Sequence, residues 1–267
     1  MNTRGLTPFT GIAEPEHSVY VSTFYMAKYE TTKEQWDEVR AWGATRGYTD
    51  LAVGNGGYAS KGINHPVHSI TWYDIVKWCN ARSEKENLVP CYTVSGTTYK
   101  TGQNSAVGCN FAASGYRLPS EAEWEKAARG KLTGQNFPLG NKIGHSKANY
   151  YSYTYSFEDD PKNQGYHPSY TAGGYPYTAP VNSFTPNGYG LYNMSGNVWE
   201  WCWDWYGGYT AGSQTDPQGA PSGSYRVRRG GSWVSYADYC RVALRADRHP
   251  TYSFYNVGFR IARSSVP

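Results

Sequence analysis

Apolar residues recur at helical spacing in three stretches of the chain. Trp36, Val39 and Trp42 follow Thr31 and Glu34, a hydroxyl and a carboxylate placed to cap each other's backbone. Trp72, Ile75, Val76 and Cys79 share one face of a helix that starts near Thr71. Trp124, Ala127 and Ala128 form a stripe between a Ser120–Glu123 capping box and a stop at Gly130. Pro119 keeps the residue before it extended. Val19, Val21, Phe24 and Met26 alternate well enough for a strand over 18–28, and 91–94 with 107–110 reads as a hairpin. Beyond residue 131 no stretch has the pattern of an amphipathic helix. Residues 145–180 lack any period, yet Tyr150, Tyr153, Tyr155, Tyr166, Tyr175 and Tyr177 bring too many rings for disorder, so an ordered loop region is predicted.

Composition explains how such short elements could hold together. Only 39% of the 267 residues are hydrophobic, but 26 are Tyr and 10 are Trp, and large rings bury enough area to build a core with few aliphatic residues. With 30 Gly and 15 Pro, turns should be many and regular elements short. No linker tract or internal repeat divides the chain, so one domain over 1–267 is expected. The net charge of +4 comes without a Lys/Arg block, which argues against nucleic acid as a partner. No apolar run approaches a membrane span, and Met1-Asn2-Thr3-Arg4 leads into no apolar signal core. Cys79, Cys91, Cys109, Cys202 and Cys240 include no C-x-x-C pair, which argues against structural zinc. Cys79 reads as a core thiol, while Cys91 and Cys109 flank the hairpin and are either bridged or reduced. No Gly-x-Ser-x-Gly elbow, H-E-x-x-H pair or phosphate-loop Lys is present.

The last forty residues alternate between a stiff frame and segments of no evident pattern. The frame is Arg229-Gly230-Gly231-Ser232-Trp233, Cys240-Arg241-Val242-Ala243-Leu244-Arg245 and Gly258-Phe259-Arg260. With Gly115-Tyr116-Arg117-Leu118-Pro119-Ser120-Glu121-Ala122-Glu123-Trp124 and the run from Pro186 to Trp201, which contains Gly196-Asn197-Val198-Trp199-Glu200, this frame resembles the formylglycine-generating-enzyme and sulfatase-modifying family. The resemblance implies an α+β, C-type lectin-like fold of low regular structure, with three helices mainly in the N-terminal half and a small sheet near the C-terminus. It also implies a candidate structural Ca²⁺ at Asn197 and Glu200, since hard oxygen ligands suit that ion. The alternative for these two side chains is to hydrogen-bond the bend and nearby arginines. The family's oxidases hold copper between two cysteines. On this chain one falls on Cys240 and the other on Ser235, whose hydroxyl is a poor ligand for Cu(I). The resemblance therefore points away from an enzyme, and leaves a copper oxidase or a degenerate accessory protein of the family as the alternative reading.

Within that family, the segment from about 226 to 262 is most similar to the variable region of proteins diversified by retroelements. There the frame is constant and the intervening residues bind ligand. Mutagenesis of adenines in Asn codons cannot produce Lys, Glu, Gln, Met or Trp, and residues 234–239, 246–249 and 252–256 contain none of these. The candidate ligand-binding residues are Val234, Ser235, Tyr236, Asp238, Tyr239, Ala246, Asp247, Arg248, His249, Tyr252, Ser253, Phe254 and Tyr255. Rings with small polar neighbours make an antibody-like paratope. Most of the rings should be exposed, whereas Trp233, Val242, Leu244 and Phe259 should be core. Arg229, Arg241, Arg245 and Arg260 should pin the loops, with Glu200, Asp204 and Asp216 as acidic partners. The resemblance implies display at a cell surface or outside the cell, needing no cofactor, with a protein or carbohydrate ligand; a monomer is the default expectation.

Overall fold

The computed structural model describes residues 14–57, 62–153, 157–159 and 164–265. The readings of Met1–Arg4 and of Tyr155 lie outside these residues.

Helix α1 (Lys33–Ala44) starts one residue later than the sequence predicts. Thr32 is the cap: its hydroxyl accepts from the Gln35 amide at 3.2 Å, and the Gln35 side chain accepts from the Thr32 amide at 3.1 Å. Thr31 is drawn off by tertiary pairing, its N–H donating to Phe259 and its carbonyl accepting from Val67, both at 2.9 Å. Helix α2 (Trp72–Lys85) is boxed by Thr71 and Asp74 as predicted, but it buries far more than one face; Lys77, Asn80 and Ser83 lie inside with Ile75 and Trp78. A helix buried nearly all round is a central one. Helix α3 (Glu121–Arg129) has the Ser120–Glu123 box and ends at Gly130 in the left-handed region. A single turn, α4 (Pro168–Thr171), sits in the ring-rich region and has no helical signal in the sequence.

The strands are short: β1 (Val19–Tyr20), β2 (Phe24–Met26), β3 (Tyr92–Val94), β4 (Thr97–Thr98), β5 (Gly108–Cys109), β6 (Trp199–Trp205), β7 (Gln214–Thr215), β8 (Arg226–Arg229), β9 (Arg245–Arg248), β10 (Val257–Gly258) and β11 (Ala262–Ser264). The strand expected over 18–28 is thus broken into β1, paired with β7, and β2, paired with β11. The expected hairpin is β3 against β5, with Tyr92 opposite Cys109 and β4 on the other edge. Cys91 and Cys109 are free thiols and form no disulfide. The principal sheet has the order β10-β6-β8-β9. Glu200 on β6 faces Arg229 on β8, which in turn faces Arg245 on β9, and Gly258 on parallel β10 flanks Glu200.

Rings fill the core. Trp36 stacks on Trp78 at 5.7 Å between centroids, and Phe259 sets its edge against both. Trp233, Val242, Leu244 and Phe259 are buried as expected. Removing a ring of this kind costs about 3–5 kcal/mol. Among the described residues no helix is long and apolar enough to cross a membrane.

Candidate recognition face

Buried arginines fix the C-terminal segment to the rest of the chain. Arg260, with no exposed surface, forms a fork on Glu200 (2.6 and 2.7 Å) and donates to the carbonyls of Ala27, Lys28 and Tyr192. Arg245 forks onto Glu121 and reaches the Gly207 carbonyl at 2.6 Å. Arg229 pairs with Glu125 and donates to the carbonyls of Val242 (2.8 Å) and Ala243 (3.1 Å). Arg241 makes the lightest pin, to the Asp238 carbonyl at 3.2 Å. Glu200 is a partner as predicted, but Asp204 and Asp216 are not. Asp204 accepts the Glu121 amide at 2.8 Å, and burial with the nearby Glu121 charge pushes its carboxyl up to about 8. Asp216 caps Ser22 through the amide and the hydroxyl. The carboxylates that meet Arg229 and Arg245 come from α3 instead, where Glu121 and Glu125 lie one turn apart on one face.

Gly231 lets the first patternless segment close back on the frame. Its φ is +74°, and a Cβ there would stand 2.6 Å from the Cys240 sulfur. The segment turns through a 3₁₀ turn at Ala237–Cys240. Its Ser235 carbonyl accepts from the Tyr151 amide at 2.9 Å, which ties it to the ring-rich region. Ser235 itself is buried; its hydroxyl accepts from the Ser232 amide and touches the Ser232 hydroxyl, both at 3.0 Å. The predicted contact residue Ser235 is therefore part of the frame. Tyr236, Arg248, His249, Ser253 and Phe254 are exposed, whereas Val234, Asp238, Tyr239, Ala246, Asp247, Tyr252 and Tyr255 are half-buried. The rings are thus less exposed than expected, because Tyr239 and Tyr252 rest one side on the main core.

These rings are joined through a second set that sequence reasoning did not assign to the site. Tyr236 meets Tyr151 and Tyr153 at 5.6 and 6.0 Å, and Tyr151 meets Tyr166 at 4.7 Å. Tyr166 touches Trp233, which touches Tyr175 (5.0 Å) and Tyr255 (5.6 Å). From Tyr255 the contacts run to Phe254 at 3.9 Å and on to Tyr252 at 5.5 Å, with the Arg248 guanidinium over the Tyr252 ring. The result is an unbroken run of rings from Tyr153 to Arg248, built alternately from the two ends of the chain's C-terminal half. Tyr236, Tyr255 and Arg248 are brought together by it. Tyr239 stands apart, against Trp199 at 6.5 Å. The density of Tyr between 150 and 177 is the sequence signal that marks this second set.

The two metal expectations can be tested against the donors present. Both Glu200 oxygens are engaged by Arg260, and one also takes the Trp124 indole N–H at 2.6 Å. The Asn197 oxygen accepts from the Ala179 amide at 2.8 Å, and its NH₂ donates to Glu30 at 3.0 Å. A divalent cation would face a guanidinium and compete with it for the same lone pairs, so this arrangement does not fit a calcium cage. Glu30 is pushed up to about 8, first by burial and then by the Glu200 charge. For copper, Cys240 is fully buried and burial raises its thiol. The second position supplies only the Ser235 hydroxyl, already committed to Ser232, so the residues do not fit a paired-thiolate site. Among the described residues no group of three or more His, Cys, Asp or Glu is placed to hold a metal.

Comparisons with known proteins bear on this geometry. The model of the sulfatase-modifying factor enzyme 1-like domain matches residues 2–265. The chaperone protein LppX of Paenibacillus barcinonensis is 32% identical, over 93% of this chain and 83% of its own length. The formylglycine-generating enzyme of Bos taurus is 35% identical, over 95% of this chain and 69% of its own. Among solved structures, Treponema denticola variable protein 1 is similar with a TM-score of 0.70 and 29% identity, covering 96% of this chain and 90% of that one.

Proposed function

The chain belongs to the family of sulfatase-modifying factor enzyme 1-like domains and has its C-type lectin-like fold; from that premise we propose that it is a non-catalytic ligand-binding protein whose C-terminal segment displays diversified residues. The observation that carries this reading is the unbroken run of rings from Tyr153 to Arg248, with Tyr236, Arg248 and Phe254 exposed on it. Such a surface offers rigid amphipathic area with adaptable polar neighbours, which suits a protein epitope better than a small solute. Likeness to a variable protein supports the same reading. We place the protein as a single-domain monomer at a cell surface or outside the cell, where a diversified face would meet its ligands.

The test is genomic. Sequencing the locus should find a second copy of the segment coding for about 226–262, differing at adenines, beside a reverse transcriptase. Changes should fall within 234–239, 246–249 and 252–256, and should spare the buried Ser235 and Asn256 together with Arg229, Gly231, Trp233, Arg245 and Arg260. A locus without a second copy would leave a structural accessory protein as the better reading. The oxidase reading is supported by the family's enzymes and by Cys240. It requires Cu(I) bound stoichiometrically and lost in Cys240→Ala, and we expect no such binding.

A further inference from the structure

A cavity of about 280 Å³ opens where the β2–β11 ladder leans on α1 and α2. None of residues 234–256 lines it, so it is separate from the ring run. Tyr25 and Arg263 are register partners across the ladder and present side chains to the same face. Arg263 donates its Nε to the Ser114 carbonyl at 3.0 Å and lies 5.3 Å from the centre of the Tyr116 ring. Its terminal nitrogens have no hydrogen-bond partner among the described residues. Lys28, exposed at the mouth, forms no ion pair among the described residues. Arg82 also lines the cavity, but Glu86 neutralises it at 2.9 Å and takes the Tyr116 hydroxyl as well. The wall therefore carries two uncompensated positive charges. Thr31 lines it too; the residue is 2% exposed, and its hydroxyl is buried without a hydrogen-bond partner. A buried hydroxyl left unpaired is costly unless something else bonds it.

We propose that this cavity binds a small organic monocarboxylate with an apolar body. The carboxylate would meet the fork of Arg263 and the Lys28 ammonium, since a planar two-oxygen group matches a guanidinium edge. The body would lie against Tyr116 and Ile261, and the Thr31 hydroxyl would bond a carboxylate oxygen. The volume is near the lower end of small-molecule pockets, which limits the ligand to something of the order of an aryl-alkanoic acid.

The test is an NMR titration of the whole chain with 3-phenylpropionate, its neutral amide and inorganic phosphate. We expect 3-phenylpropionate to bind with Kd on the order of 1 mM, with shifts centred on Tyr116 and Arg263. The amide should bind at least about tenfold more weakly, as should the acid to Arg263→Gln and to Lys28→Gln, the loss of about one charge-assisted contact. Thr31→Val, which removes the unpaired hydroxyl and keeps the shape, should fold normally and bind several-fold more weakly. If Arg263→Gln fails to fold, Lys28→Gln and Thr31→Val carry the result alone. Absence of binding, equal binding of the amide, undiminished binding to these variants, or displacement by phosphate at matched concentration would each overturn the proposal.

Discussion

Two neighbouring buried glutamates should respond in opposite ways to the same substitution. Glu200 accepts two charge-assisted bonds from Arg260 and one from the Trp124 indole, all within 2.7 Å, and both it and Arg260 are buried. Glu200→Gln leaves one acceptor oxygen, turns an NH₂ toward guanidinium donors and strands a buried charge, at a cost of about 3–5 kcal/mol. For a domain of this size that is a fall in Tm of roughly 6–20 °C. Glu30 lies beside it and accepts from Asn193 (2.8 Å) and Asn197 (3.0 Å), but its carboxyl, raised to about 8, is mostly protonated at pH 7. Glu30→Gln is therefore close to an isostere and should cost about 1 kcal/mol, one weakened hydrogen bond. The pH dependence separates them further. A carboxyl whose folded pKa is raised contributes stability that is intact below the unfolded value near 4.5 and is lost as pH climbs through 8. Over that window the folded protein holds more protons than the unfolded chain. Between pH 6.5 and 8.5 the parent protein should lose roughly 2 kcal/mol more than Glu30→Gln does, at about 1.4 kcal/mol per unit of pH. Thermal and denaturant melts at the two pH values measure both effects. Equal losses for the two variants at pH 7, or a parent protein that gains stability over the alkaline step relative to Glu30→Gln, would refute the reasoning.

Tyr236→Ala combined with Phe254→Ala should shift stability by no more than about 1 kcal/mol, because both rings are exposed. Trp233→Ala should lose about 3–5 kcal/mol in the same melts. Adding calcium or a chelator should leave Tm unchanged, since Arg260 already occupies Glu200; a rise with calcium would revive the cation site. A bulky thiol reagent should label Cys109 first, the one cysteine not fully buried, and reach Cys240 only on unfolding.

The parts of this fold that could be read from sequence are those decided by local chemistry. Ser120 and Glu123 cap α3 because the partners sit three residues apart and nothing distant competes for them. At α1 the same logic places the start one residue early, because Phe259 and Val67, far along the chain, claim the Thr31 backbone. The arginine partners show the same division. Arg260 reaches Glu200 from two residues beyond Gly258, the β10 register partner of Glu200, while Arg229 and Arg245 find Glu121 and Glu125 on a helix more than a hundred residues earlier. No local pattern encodes such a pairing. The ring run was half legible for a related reason: one set of rings stood out against the frame around it. The other set lay in a region without periodicity, and only its folding against Ser235 and Trp233 brings it to the face.

The patternless segments are anchored to the frame mainly through backbone carbonyls. Ser235 accepts from Tyr151, Pro250 from Trp72, Phe254 from Ser69 and Asn256 from Trp199, all between 2.9 and 3.0 Å. A carbonyl is the same whatever side chain it carries, so exchanging Tyr236, Arg248, Ser253 or Phe254 removes no anchor. Two positions break this rule. The Ser235 hydroxyl accepts from the Ser232 amide, and the buried Asn256 amide donates to the Ser232 hydroxyl at 3.1 Å. Substitution there leaves buried polar groups unpaired, at about 1–3 kcal/mol each. A saturation library over 234–256, sorted for folded protein by protease resistance, should therefore accept most residues at Tyr236, Arg248, Ser253 and Phe254 and few at Ser235 and Asn256. Uniform tolerance across all six positions would mean that side chains, not carbonyls, are incidental to the frame throughout; uniform intolerance would mean that the face is fixed and diversification is the wrong reading of it.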